Sequence, residues 1–235
     1  MEAVDRLMET EFAIGIVRMM ELAGRNLAHL ARQRFLDGSP VGKRAVVLVG
    51  GGGNGGGALV CARRLAGWGA SVTVFLAQGP RKMHGISAEQ LSISRTVGIR
   101  DGERRGRPDA LMAAIEGTDV IIDGIIGYGL KAAPQGLAKV FIEIVASSPS
   151  KVLALDIPSG LDASTGETHG VVIRAEATLT LALPKIGLYA ATARANVGDL
   201  YVADIGVPPA LYAAPSLHLE MPPLFARSDI LRVDY

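Results

Sequence analysis

Ala45 to Arg64 reads AVVLVGGGGNGGGALVCARR, and this stretch decides the fold. Five apolar residues, Ala45 to Val49, have the composition of a buried strand. Eight positions follow, Gly50 to Gly57, of which only Asn54 is not glycine, and then a helix-compatible segment with Leu59, Val60 and Cys61. The predicted unit is strand, bare loop, helix. Glycine lacks a Cβ, so such a loop can adopt positive φ and bring backbone N–H groups close to a ligand. The helix behind it aims unpaired donors and the positive end of its dipole at the same spot, which suits a phosphate or another anion. G-x-G-x-x-G fits in two registers, from Gly50 and from Gly51. A dinucleotide site of the usual kind also wants an acid at the end of the next strand, yet SVTVFLAQGP has none, and Gly57-Ala58-Leu59 lacks the lysine and hydroxyl that close a P-loop.

Working outward, the spacing predicts helices over residues 3–11 and 16–36, an N-terminal arm stopped by Asp37-Gly38-Ser39-Pro40. Met19 and Met20 read as core filling. Val72 to Leu76 is a second strand, Ile86 to Val97 a helix, and the polar run from Glu103 to Ala110 a solvated connection before a short helix from Leu111 to Glu116. Val120-Ile121-Ile122 is too apolar for an exposed edge. It ends at Asp123 and opens the glycine-bearing loop GIIGYGLKAAPQG. A helix from Leu137 to Ala146 leads to the buried strand Lys151–Leu155, which ends at Asp156. Strands at Ala177–Leu183 and Leu200–Ala203 complete the pattern. Strands alternating with helices predict an α/β fold, with a mostly parallel sheet carrying helices on both faces. A single domain is expected over residues 1–235, with the arm in 1–40 and a proline-rich tail in 206–235 that wraps the surface or reaches a partner subunit.

The chain has 235 residues, 49% hydrophobic, with a net charge of +1. That balance implies no nucleic-acid partner. No apolar run approaches the roughly 18 residues of a membrane span, and the start is acidic rather than signal-like. The single cysteine, Cys61, excludes an intramolecular disulfide and reads as a small buried hydrophobe, consistent with a cytoplasmic protein.

Ligands of an open parallel sheet sit beyond the carboxyl ends of its strands. The glycine loop, Asp123 and Asp156 each follow such a strand end. A lone aspartate there is often an Asx-turn or a helix cap, but two of them facing a glycine loop point to a site. Zinc is disfavoured because His29, His84, His169 and His218 are isolated; oxygen ligands suit a hard cation. No G-x-S-x-G elbow is present, which leaves acid–base chemistry by aspartate.

Met20-Glu21-Leu22-Ala23-Gly24-Arg25, the Asn54-Gly55-Gly56 loop, Val120 to Gly127, Asp156-Ile157-Pro158-Ser159-Gly160, Leu183-Pro184-Lys185 and Val202 to Gly206 together resemble the NAD(P)H-hydrate epimerases, the YjeF N-terminal domain family. The resemblance implies a Rossmann-like three-layer α/β/α fold with an N-terminal helical arm. It implies an isomerase that interconverts the R and S hydrates of NADH and NADPH, usually as a homodimer, supplying a separate S-specific hydrate dehydratase. It also implies a potassium ion held by Asn54, Asp123 and Ser159. The substrate would contact Gly53, Asn54, Gly55, Gly56 and Gly57, then Gly127, Tyr128, Gly129, Leu130, Lys131, Ala132 and Ala133, and Asp156. Asp156 is the expected acid–base group, with a raised pKa. Lys185 meets a phosphate or lies on the surface. The loop departs from the family's G-x-G-N-N-G-G-D-G at Gly53, Gly57 and Ala58, and Leu22 replaces the asparagine of E-N-A-G. These changes leave open a non-catalytic member that binds a nucleotide-like ligand or a protein.

Overall fold

The computed structural model describes residues 2–79, 82–102 and 108–234. Two helices, α1 (Glu2–Thr10) and α2 (Ile16–Phe35), precede β1 (Arg44–Val49) and α3 (Gly53–Gly67). Next come β2 (Ser71–Leu76), α4 (Gly85–Thr96), β3 (Arg100–Asp101), α5 (Pro108–Ile115), β4 (Val120–Gly124), α6 (Gly136–Ala146) and β5 (Val152–Leu155). The chain closes with β6 (Ala177–Leu181), α7 (Arg194–Val197), β7 (Asp199–Ala203), α8 (Pro209–Tyr212) and β8 (Ile230–Val233). The strands form one sheet in the order β3-β2-β1-β4-β5-β6-β7-β8. Every pairing is parallel except β7 with β8.

The central strands are apolar throughout because both of their faces are covered. Along β1, Ala45, Val47 and Val49 join Leu27, Leu59, Cys61 and Leu65 from α2 and α3. Val46 and Leu48 turn the other way, onto Leu111 of α5 and Phe141, Ile142 and Val145 of α6. That alternation is the period-2 geometry of a strand, here buried on both sides. Helix α2 lies against α3 at closest approach at Gly24, where a Cβ would fall 2.4 Å from Val60 Cβ and 2.5 Å from Gly57 O. Glu21 fastens the same contact by ion-pairing with Arg63 and Arg64. Burial alone would raise its pKa, but the two guanidiniums outweigh burial and hold it below the ordinary value.

The mostly parallel sheet, the helices on its two faces and the N-terminal arm agree with the sequence reading, with most element ends within a residue or two. Four details differ. Helix α3 begins at Gly53, so Gly53 to Gly57 form its first turns and the loop proper is only Gly50 to Gly52. None of these glycines has positive φ. Their lack of a side chain serves close approach instead: a Cβ at Gly50 would lie 1.8 Å from Ile125 O, and one at Gly55 would lie 1.9 Å from Gly50 O. Helix α5 begins at Pro108, ahead of the expected Leu111, since proline's fixed φ and missing N–H fit a helix start; residues 103–107 of the expected connection lie outside the described residues.

The tail is the third difference. It folds back on its own chain: β8 pairs antiparallel with β7, and Leu211 and Tyr212 of α8 pack with Val4, Leu7 and Met8 of α1. Prolines 208, 209, 215, 222 and 223 hid a helix turn and an edge strand behind a composition that reads as irregular. The short strand β3, two residues long, is the fourth. Among the described residues no helix is long and apolar enough to cross a membrane. Cys61 is fully buried, and burial pushes its thiol pKa up, as expected of an inert core cysteine.

Candidate functional site

The strand order reverses between β1 and β4: the chain runs from β1 outward to β2 and β3, then returns to place β4 on the other side of β1. Such a switch point opens a crevice at the carboxyl ends of the strands. A cleft of about 640 Å³ lies there, of the size that holds a small-molecule ligand. Gly52, Gly53, Asn54 and Gly57 form one wall, residues 125–129 and Lys131 another, and Leu155, Asp156, Leu181 and Lys185 a third. The fourth comes from the N-terminal arm and the strand-7 exit: Glu2, Asp5, Ile16, Met19, Met20, Ala23 and Ile205.

The sequence-derived candidates therefore divide. Gly53, Asn54, Gly57, Gly127, Tyr128, Gly129, Lys131 and Asp156 line the cleft. Gly55 and Gly56 turn inward and are buried, Leu130 is half-buried beside it, and Ala132 and Ala133 are exposed without lining it. Asp123 and Ser159 lie beneath the floor, both fully buried. Helix α3 has no side chain capping its first turn, so its leading backbone donors face the cleft at Gly52 and Gly53. A Cβ at Gly57 would fall 2.9 Å from Leu155 Cδ2, so glycine at this departure from the family pattern fits closely beneath that leucine.

Asp156 follows β5 with φ of +67°, a left-handed conformation that aspartate and asparagine adopt more readily than other non-glycine residues. Its N–H donates to Leu179 O at 2.7 Å and the next N–H, of Ile157, donates to Leu155 O at 2.8 Å. This turn throws the carboxylate across the strand ends. Oδ1 accepts from Thr180 Oγ1 at 3.3 Å, from Leu181 N at 3.3 Å, and from Lys185 Nζ in a close ion pair. Oδ2 accepts from no protein donor among the described residues and lies on the side of Gly127, where a Cβ would stand 3.4 Å from it. The same Cβ would be 3.2 Å from Asn54 Oδ1. Glycine at 127 therefore keeps open the gap between Asn54 and Asp156. Asn54 is itself held by its Nδ2, which donates to Leu155 O at 3.1 Å.

Asp123 occupies a different environment. Ser159 N donates to Oδ2 at 2.8 Å; Ser159 Oγ and Ile125 N donate to Oδ1 at 2.6 and 3.2 Å. Every partner is neutral. Burial raises the carboxyl pKa from 3.8 to about 6, and the three hydrogen bonds only partly oppose that rise. The donors and acceptors around it are all oxygen or backbone nitrogen. Among the described residues no three His, Cys, Asp or Glu side chains gather as a transition-metal site would need.

Of the two places the sequence left open for Lys185, the structure excludes one. The lysine is not on the surface: 9% of it is accessible, and it turns inward to Asp156. One lysine at the end of the apolar strand run LTLALP was the available signal, because the same strand-end rule that selected Asp123 and Asp156 applies to it. The arm was also read only as a core element. Met19 and Met20 are buried as expected, yet both also face the cleft. Tyr128 Oη donates to Asp5 Oδ2 at 2.6 Å, tying α1 over the opening. Burial, the Asp5 contact and the charges of Asp156 and Glu2 together hold that phenol's pKa well above the ordinary value.

The shift at Asp123 has a stability consequence. Between about pH 4 and pH 6 the unfolded chain has released this proton while the folded protein keeps it, so the folded state binds more protons and stability falls as pH rises. At about 1.4 kcal/mol per pKa unit, the loss across that window is roughly 3 kcal/mol. Urea unfolding of wild type and Asp123→Asn at pH 4 and pH 6.5 in buffer free of potassium measures it, the other titrating groups being common to both. The difference should move in favour of the asparagine variant with rising pH; parallel pH profiles would contradict a desolvated carboxyl.

Comparison with known proteins identifies the family. The model of the YjeF-related protein N-terminus matches residues 17–187. The NAD(P)H-hydrate epimerase of Dehalogenimonas lykanthroporepellens is 37% identical over 218 residues, covering 92% of this chain and 84% of that protein. The NAD(P)H-hydrate epimerase of Pirellula staleyi is 33% identical, covering 88% and 90%. The bifunctional NAD(P)H-hydrate repair enzyme of Moorella thermoacetica is 35% identical over 91% of this chain, which spans 40% of its length. The crystal structure of the yeast protein YNL200c matches with a TM-score of 0.79 over 99% of this chain and 96% of the yeast chain; at 24% identity that likeness speaks to fold alone. On the family match and the two single-function relatives together, the chain belongs to the YjeF N-terminal domain family.

Proposed function

We propose that this protein is an NAD(P)H-hydrate epimerase, an isomerase that interconverts the R and S hydrates of NADH and NADPH. The observation that carries the reading from family to chemistry is the asymmetry of Asp156, whose Oδ1 is tied by three donors while Oδ2 is left to the cleft. The hydrated ring carries its hydroxyl on a carbon bonded to the ring nitrogen. If Asp156 Oδ2–H protonates that hydroxyl, the C–O bond breaks with its electron pair, water departs, and the nitrogen lone pair forms C=N. Water then adds to either face and returns a proton to Oδ2. One carboxyl group suffices for both directions, since the second half repeats the first in reverse.

The rest of the cleft fits the substrate. Its pyrophosphate would lie at the uncapped start of α3, at Gly52 and Gly53. The ring would reach past Gly127 to Asp156, and the apolar side chains of Ile16, Met19 and Met20 would shelter it from bulk water. A potassium ion would be held by Asn54, Asp123 and Ser159. The donor set supports it: a fully buried carboxylate with only neutral partners lacks a countercharge, and oxygen ligands with a single formal charge suit a hard monovalent cation. Such an ion would neutralise Asp123 and join the floor to α3. The reading includes a cytoplasmic homodimer that passes its product to an S-specific dehydratase. The greater length of the bifunctional relatives leaves room for a second activity of that kind.

Incubation of R-hydrate with this protein and an S-specific dehydratase tests the function. Recovery of NADH is the expected result, and binding of the hydrate without recovery would favour a non-catalytic cleft. Asp156→Asn should lower kcat by roughly 10²–10⁴-fold with KM little changed; a variant with the full rate would remove Asp156 from the proton chemistry. The ion has its own readout. Exchanging sodium for potassium at pH 7 should raise the Tm of the wild type by roughly 3–8 °C and leave Asp123→Asn unmoved, whereas equal melting in both salts would exclude the site.

A further inference from the structure

Lys185 reaches Asp156 from the turn that follows β6, and the pair is almost completely buried, with side-chain exposures of 8% and 4%. Lysines at a surface usually extend their ammonium into water. Here the next residue, Ile186, is 81% exposed, so the chain meets solvent one step later and the lysine still turns inward. Its Nζ donates to Asp156 Oδ1, to Thr180 Oγ1 at 3.2 Å and to Leu181 O at 2.9 Å. Three donors meet three acceptors, and an ammonium has no fourth.

We infer that Lys185 is a positioning residue for epimerisation: it engages Asp156 Oδ1 and thereby commits Oδ2 to the reacting hydroxyl. This rests on the epimerase reading above. With its three N–H groups in use, Lys185 has none left to give the substrate, which separates its role from that of Asp156. The carboxyl group cannot rotate to exchange its oxygens without breaking three hydrogen bonds at once. When Asp156 has passed its proton to the departing water, the resulting carboxylate already touches a fixed ammonium. The lysine keeps its own protons throughout, so the atoms and electrons of the step balance without it. The backbone on both sides is shaped for this bridge: Asp156 sits at φ +67° and Ala182, on the turn that carries Lys185 back, at φ +60°.

The test compares steady-state epimerisation by wild type, Lys185→Met, and Lys185→Cys before and after alkylation with 2-bromoethylamine, which rebuilds an ammonium at nearly the same reach. Cys61, fully buried, is inert to the reagent, and treated wild type serves as the control. The expected result is a kcat lower by about 100-fold or more in both variants, with KM within about threefold, and recovery on aminoethylation to within about tenfold of wild type. If Lys185→Met does not fold, the Lys185→Cys pair makes the same comparison. An active wild type with Lys185→Met or untreated Lys185→Cys within threefold in kcat overturns the proposal alone, as does failure of the ammonium to restore the rate. A wild type with no epimerisation at all removes the epimerase reading and the proposal with it.

Discussion

The site depends on the parallel register of three strands. Leu48 of β1 stands beside Asp123 of β4, and Asp123 stands beside Ala154 of β5. With the strands in step, their carboxyl ends finish level, and the glycine turn, Ile125 and Asp156 leave the sheet at one edge. A one-residue slip would move Asp123 to the opposite face, because side chains alternate along a strand. The register is held by burial on both faces. Val46 and Leu48 belong to the layer under α5 and α6, Val47 and Val49 to the layer under α2 and α3, so neither face can be exchanged for the other without exposing a set of apolar side chains.

Two aspartates placed by one register acquire opposite characters from what surrounds them. Asp123 is enclosed by neutral donors, and burial dominates its chemistry. Asp156 has a buried ammonium on one oxygen and open cleft at the other. A group that must trade protons with a ligand needs access on one side and restraint on the other, and only Asp156 has both. Asp123, which has no access, is suited to hold Ser159 and the turn after β4 in place. The arm adds enclosure: Tyr128 and Asp5 join α1 to the loop after β4, while α1 itself rests on α8 from the far end of the chain.

The sheet was legible because its determinants are local. Apolar runs, most of them bounded by glycine or aspartate, marked β1, β2, β4, β5, β6 and β7, and periodic stripes marked the long helices. Both aspartates were singled out by strand-end logic, and Asn54 by the resemblance of its loop to the family's. What escaped depends on distant contacts. Prolines in the tail conceal β8, whose stability comes from pairing with β7 rather than from its own sequence. The inward turn of Lys185 is set by Asp156, 29 residues away; its place at a strand end marks it as a candidate, but nothing local fixes which way the side chain turns. The glycine run showed that something approaches the backbone closely. It did not show that much of what approaches is the protein itself, Ile125 against Gly50 and Gly50 against Gly55.

The account stands on Asp156 Oδ2 being the atom that meets the reacting hydroxyl at the mouth of this cleft. A crystal structure with bound NADPH hydrate tests that most directly. The account predicts the ring hydroxyl at hydrogen-bond distance, about 2.6–3.2 Å, from Oδ2, with the pyrophosphate at Gly52 and Gly53 and Oδ1 still joined to Lys185. A hydrate seated elsewhere on the protein, or bound here with its hydroxyl turned away from Asp156, would contradict it.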